Sequence, residues 1–379
     1  MWRSTSILIG IVLILLTLGI VMLASTSAVQ AASRYGDPLF FVKRQAVWMF
    51  LGLMVAVGAA LLNYHHWRRV VIPLALFSVA LLVLTVMPGV GLNVKGSSRW
   101  LRLGSFTVQP SELAKFASVM LLSWWMAYVQ RRAGEFRLGM LVPIFCLAVM
   151  AGLIFVEPDF GTTLLVALVG MCVMFVGGTR IGYLVVAGTL GFAGFVVAVM
   201  QNPERMRRII AFTDPQKYKE DEAFQLLNAI YAFVVGGGWG VGLGQSLQKQ
   251  YYLPESHTDF IFAIIGEELG LIASLGVVAA YLVFFLVGVR VSFRAPDKFG
   301  KLLGFGLTLM ITVQAAINIG VVTGSLPTKG LPLPFISFGG SSMVISMLMV
   351  GVLINIALHA SGLMEHESTR PIKDRGQRL

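Results

Sequence analysis

The run LPESHTDFIFAIIGEELG, Leu253 to Gly270, carries the densest set of residues able to do chemistry in this chain. Glu255, His257 and Asp259 stand at the edge of an apolar stretch, and Glu267 and Glu268 follow about two helical turns on. Carboxylates beside a hydrocarbon-seeking segment are costly and need a reason. Asp259 has two readings. At a helix start its charge complements the helix dipole. Beside Phe260, Ile261 and Phe262, partial desolvation raises its pKa toward a value useful to a general base. His257 is either a hydrogen-bonding residue at an interface or a group titrating near neutrality. Glu267, about 12 Å further along at 1.5 Å per residue, reads as a packing ion or hydrogen-bond partner.

Three more polar clusters are expected at the same membrane face: Lys95 to Lys115, Val156 to Thr163, and Ser325 to Ser342. In the first, Pro110, Ser111 and Glu112 resemble a helix start with Ser111 as N-cap. Glu112 and Lys115, three apart, share a helix face and either pair structurally or meet a ligand. Arg99 and Arg102 flank Trp100, a grouping that suits phosphate capture or interfacial anchoring. In the second, Glu157 and Asp159 flank Pro158 in a short turn, where they cap the next helix or serve a metal or substrate. In the third, Lys329 is the cation of a loop rich in Pro and Gly that also holds Ser337. Such a loop at membrane depth must be buried in protein or line a cavity, and Lys329 is read as an anion site in preference to a simply solvated cation.

The elements that must position these groups follow from composition. The chain has 379 residues, 57% of them hydrophobic and 12% charged, which excludes an ordinary soluble protein. The fold class is all-α and polytopic. About ten spans are expected, at 7 to 28, 43 to 62, 70 to 87, 111 to 130, 139 to 156, 161 to 178, 182 to 200, 259 to 289, 302 to 324 and 339 to 361. They form one membrane domain, 1–364, with a large loop at 201–258 and a disordered polar tail at 365–379. The net charge of +11 is spread over short loops without a stripe, favouring anionic lipid over nucleic acid. Cys146 and Cys172 fall inside apolar runs and read as small hydrophobes.

An even number of spans puts both termini on one side. Of the 29 Lys and Arg, 15 lie there, so the raw count barely orients the chain. Six of the others lie in the long loop, which weighs little, and Lys95, Arg99 and Arg102 are set aside for a ligand. Both ends are therefore expected in the cytoplasm. Within the long loop, Asp221 to Val235 spaces its apolar residues as an amphipathic helix. The following GGGWGVGLG lets backbone approach something closely, but matches no nucleotide-binding pattern.

The segments RWLRLGSFTVQPSELAK, VEPDFGTT, GLGQSLQKQYYLPESHTDFIFAIIGEELG and LPTKGLPLPFISFGGSS resemble, in order, those of the SEDS family of bacterial peptidoglycan polymerases, the group of FtsW, RodA and SpoVE. QSLQKQYYLPESHTDF looks closer to the division branch, FtsW, than to the elongation branch. The resemblance implies ten helices and a glycosyltransferase that polymerises lipid II at the outer face of the cytoplasmic membrane, at the division septum. It implies that Asp259 activates the acceptor 4-hydroxyl and that undecaprenyl pyrophosphate leaves. Arg99, Arg102, Lys115 and Lys329 become the candidate clamp, with Trp100, Glu112, His257 and Ser337 lining the substrate and with a divalent cation, Mg or Mn, as a candidate aid. It also implies a class B penicillin-binding protein, a transpeptidase, as partner, together with other division proteins. The competing readings are a lipid II flippase, a RodA-like polymerase of elongation, and a non-catalytic scaffold. A flippase should carry charge deep along a pathway, whereas here it gathers at one face.

Overall fold

In the computed structural model, residues 2–94, 97–104, 106–218, 223–249, 253 and 256–361 are described. Lys95, Glu255, the start of the Asp221 to Val235 segment and the tail at 365–379 lie outside them. Among the described residues, nine helices are long and apolar enough to cross a membrane. They are α1 (Trp2–Tyr35), α2 (Phe40–Leu61), α3 (Trp67–Val86), α5 (Val142–Val156, extended at its start by a wider turn at Phe136–Leu141), α6 (Phe160–Gly177), α7 (Ile181–Met200), α10 (Ile261–Phe293), α11 (Lys298–Val322) and α12 (Gly340–Ala360). With every backbone group paired inside its own helix, such segments can sit in hydrocarbon. The protein is an integral membrane protein.

The tenth expected span, 111 to 130, is the helix α4 (Pro110–Tyr128). It differs from the nine in what surrounds it. Of its 19 residues, 14 are buried, Glu112 and Lys115 among them. Other helices, not lipid, cover α4, so it can carry polar groups that an outer helix could not. Its N-cap is Gln109 with Pro110 in the first turn, not Ser111. The outermost helix is α7, where only Leu184 and Val199 are buried.

Two departures from plain spans build the site. The first is a break in α10. Gly270 has φ +78°, outside the helical range, so the expected span at 259 to 289 is a short helical piece, 261–269, followed by a longer one. The break is closed by the glycine-rich segment after α9 (Phe224–Gly236), where Leu271 N donates to Gly237 O at 2.9 Å and Val241 N to Glu267 O at 3.0 Å. A Cβ at Gly240 would sit 2.7 Å from Gly270 N. The close approach expected of GGGWGVGLG is therefore to the backbone of this broken helix.

The second is the loop between α11 and α12, which dips into the bundle. Leu331, Leu333, Phe335 and Ile336 are buried, and a Cβ on Gly19, midway along α1, would lie 2.7 Å from Phe335 O. Irregular backbone at that depth needs protein partners, since each unpaired carbonyl costs about 1–3 kcal/mol. Gln314 and Asn318 of α11 donate to Pro332 O at 2.8 Å and Leu331 O at 2.7 Å, and Tyr281 of α10 donates to Pro334 O.

The segment between α3 and α4, outside the expected spans, forms a three-stranded antiparallel sheet, β1 (Leu92–Val94), β2 (Ser97–Leu103) and β3 (Phe106–Val108), in that order. The long loop holds two helices where one was expected: α8 (Pro203–Thr213), then α9. At the opposite end of the bundle, Tyr64 donates to Asp297 Oδ1 at 2.5 Å, Arg68 pairs with Asp297, and Tyr64 N donates to Asn355 Oδ1 at 2.8 Å. These bonds tie together the ends of α3, α11 and α12.

Candidate active site

Asp259 sits in a turn, 256–260, just ahead of α10, whose N-cap is Phe260. Its backbone is held from two sides. Asn318 Nδ2 donates to Asp259 O at 2.7 Å while also donating to Leu331 O. Ser337 Oγ donates to Thr258 O at 2.6 Å and accepts from Leu333 N at 2.8 Å, and Phe338 N donates to His257 O at 3.0 Å. Ser337 thus acts as a bracket between the turn and the dipping loop. The buried His257 ring lies 4.8 Å from the Phe41 ring and 6.0 Å from that of Phe338, in an aromatic seat. With three successive backbone positions fixed, the half-buried Asp259 side chain packs over Gly330, where a Cβ would be 2.6 Å from Oδ2.

The same loop carries Lys329 toward the α5–α6 turn. Its ammonium lies 5.2 Å from the Phe195 ring of α7, and burial lowers its pKa while the Asp159 carboxylate nearby opposes that shift. Asp159 caps α6, accepting from Thr162 N at 3.2 Å and Thr162 Oγ1 at 2.9 Å, and accepts from Gln109 at 3.3 Å. Glu157 is buried, accepts from Thr85 and is pushed up to about 7; burial is the main cause, Thr85 opposes it, Asp159 adds to it and Arg99 opposes it. A Cβ on Gly161 would meet Leu331 Cγ at 2.9 Å. The α5–α6 turn, the strand-to-α4 junction, the dipping loop and the Asp259 turn therefore meet at one end of the bundle.

Strand parity separates the two arginines that the sequence groups together. Successive β2 side chains alternate faces, so Arg99 and Leu101 share one and Trp100 and Arg102 the other. Arg99 turns inward, with Nε donating to Glu157 O at 3.1 Å and Nη2 to Pro158 O. Arg102 is exposed and donates to Gly104 O at 3.4 Å. Arg99 therefore braces the acidic turn, and the partly exposed Trp100 stands with Arg102 on the outer face.

Glu112 and Lys115 do pair, at 2.7 Å, but deep in the bundle, at 3% and 1% exposure. Lys115 also donates to Gln314 Oε1 at 2.7 Å, and Gln314 in turn holds Pro332 O. This cation supports the loop from beneath and does not stand on an open face with Lys329. Gln314, Asn318, Gln109 and Thr85 were not singled out from sequence. The signal for the first two was present, because amides inside an otherwise apolar run need partners.

Among the described residues, no group of three or more His, Cys, Asp or Glu comes together as a metal cage. Glu157 accepts from Thr85, and Asp159 from Thr162 and Gln109.

The family model described as a cell cycle protein, FtsW/RodA/SpoVE, matches residues 5–362. The chain belongs to this family. Its relatives include a probable peptidoglycan glycosyltransferase FtsW of Geobacter sp. (strain M18), 38% identical over 94% of this chain and 97% of the relative. Stage V sporulation protein E of Bacillus subtilis (strain 168) is 40% identical over 93% and 97%. Among solved structures, one chain of a peptidoglycan synthase complex described as coordinating polymerization and crosslinking aligns with a TM-score of 0.77, 26% identity, and coverage of 93% of this chain and 97% of that one. The elements that meet around Asp259 all lie within the part of the chain that the FtsW/RodA/SpoVE family model spans.

Proposed function

We propose that this protein is a peptidoglycan glycosyltransferase of the bacterial cytoplasmic membrane that polymerises lipid II, with Asp259 as the general base. The observation that carries this reading is the Asp259 carboxylate, half-buried and held by three backbone tethers over Gly330, with the Lys329 cation on the adjacent residue. Membership of the family and the names of its relatives supply the reaction class.

In the reaction, the acceptor 4-hydroxyl gives its proton to Asp259 as its oxygen attacks C1 of the donor sugar. The C1–O bond to the lipid pyrophosphate breaks, and the pyrophosphate leaves with the electron pair. Lys329, one residue from the glycine that packs on the reacting carboxylate, meets that developing negative charge, and a preorganised cation at such a site is worth more than one in solution. Arg102 and Trp100, on the outer face of β2, are the further groups placed to meet a phosphate or sugar at the headgroup level. His257, Ser337, Glu112, Lys115 and Arg99 act behind them, by holding the turn, the loop and the acidic turn in register.

On this reading the site end of the bundle faces outward and the Tyr64 end faces the cytoplasm, with both termini inside. The partner is a class B penicillin-binding protein that crosslinks the strands, by analogy with the solved synthase complex, and the setting is the division septum with other division proteins. The test uses the purified protein with its transpeptidase partner and labelled lipid II. Long glycan strands from the wild type support the polymerase. Lipid II crossing vesicle membranes with no polymer formed would replace it with the flippase.

A further inference from the structure

Glu267 and Glu268 are two adjacent carboxylates, 0% and 1% exposed, that the polymerase mechanism leaves unused. Among the described residues, their side-chain partners come from outside their helix. Glu267 accepts from Ser246 Oγ and, at 2.9 Å, from Leu247 N. Glu268 accepts from Lys249 Nζ at 2.8 Å and from Ser25 Oγ of α1 at 2.7 Å, and Lys249 Nζ also reaches Ser25 Oγ at 3.1 Å. The Lys249 and Glu268 side chains are 5% and 0% exposed. Burying an ion pair this completely costs solvation, so its return is a single enforced arrangement more than raw stability.

That arrangement concerns the position of Asp259. The helical piece 261–269 is buried from Ile261 to Glu268 and ends at the Gly270 break, so it is not fixed by continuity with the rest of α10 alone. Asp259 hangs two residues ahead of its first turn. Lys249 is the described residue at which the chain leaves the glycine-rich segment toward Asp259, and it is clamped to the far end of the same helical piece. Lys249 is thus tied to the helical piece that Asp259 precedes, with Ser25 of α1 as the outside anchor. A shift of this piece carries Asp259 with it relative to Gly330.

We propose that Lys249, Glu268 and Ser25 form a positioning latch, which sets the distance of the Asp259 carboxylate from the dipping loop by fixing the helical piece to α1. The proposal rests on the reading of Asp259 as the base. A displacement of about 1 Å at a reacting group costs up to about a hundredfold in rate, so the latch acts on kcat.

The experiment measures kcat and KM for labelled lipid II with the protein in complex with its transpeptidase partner, alongside the melting temperature of each variant. Lys249→Met is expected to lower kcat about tenfold or more while KM stays within about twofold, and Lys249→Arg to recover most of the loss. Tyr64→Phe is the stability control. It removes a part-buried hydrogen bond at the other end of the bundle, and is expected to lower the melting temperature without changing kcat. If Lys249→Met does not fold, Ser25→Ala, which deletes one hydroxyl from the latch, is judged by the same split. The latch is overturned if the folded variant keeps wild-type kcat, if its loss matches that of Tyr64→Phe at equal melting temperature, or if Arg fails to rescue. Asp259→Asn runs in parallel. If it is inactive while Lys249→Met is normal, only the latch falls; if it stays active, the base assignment falls and the latch with it.

Discussion

Asp259 and Gly330 are packed so closely that a Cβ on the glycine would lie 2.6 Å from the carboxylate Oδ2. The contact joins two segments some seventy residues apart and sets the proposed base against the glycine that follows the proposed cation, Lys329, in the chain. Gly330→Ala should therefore push the carboxylate aside while leaving the fold in place. The expected result is a fall in kcat of about tenfold to a hundredfold with a melting temperature close to wild type. Steady-state rates and a thermal melt on the same preparation check it, and an unaltered kcat would mean that the contact does not constrain the base.

The opposite faces of Arg99 and Arg102 predict opposite phenotypes. Arg99→Ala leaves two carbonyls of the 157–158 turn without their donor and should cost about 1–3 kcal/mol. Arg102→Ala, at an exposed position, should change stability by no more than about 0.5 kcal/mol, and any effect should fall on substrate binding. Melting temperature and KM of the two variants separate these roles. Equal losses of stability would contradict the strand parity.

Glu157 makes stability depend on pH with a definite sign. Its folded pKa, about 7, stands above the ordinary 4.5, chiefly because burial disfavours the charged form. The folded state therefore holds the proton more tightly than the unfolded one. The contribution is fully present below about pH 4.5 and is lost as pH rises through about 7. Glu157→Gln, which cannot ionise, should lose less stability than wild type between pH 5 and pH 8. Parallel melting curves across that range would show that Glu157 does not titrate there.

How far the sequence carries depends on whether a feature is local. The spans were legible because each is a continuous apolar run, and the Glu112–Lys115 pair because a spacing of three puts both on one helix face. The pair's depth was not legible, since only the packed bundle shows that α4 is covered by protein. The strand character of β2 was missed because it depends on partners at Leu92–Val94 and Phe106–Val108, and with it the parity that divides Arg99 from Arg102. The break at Gly270 is likewise non-local. A glycine in an apolar run is common in membrane helices, and this one turns non-helical against Gly237, Gly238 and Gly240, some thirty residues earlier. Asp259 stood out because a carboxylate beside an apolar run demands a reason. The neighbours that hold it, Asn318, Ser337 and Gly330, come from elements that only folding brings near.

The role of Asp259 as base is tested most directly by the rate of glycan polymerisation by Asp259→Asn, a change that keeps shape and removes the basic carboxylate. The variant is assayed with its transpeptidase partner on labelled lipid II. The expected result is a correctly folded complex that still binds lipid II but makes no strands above background. Strands as long and as fast as those of the wild type would contradict it.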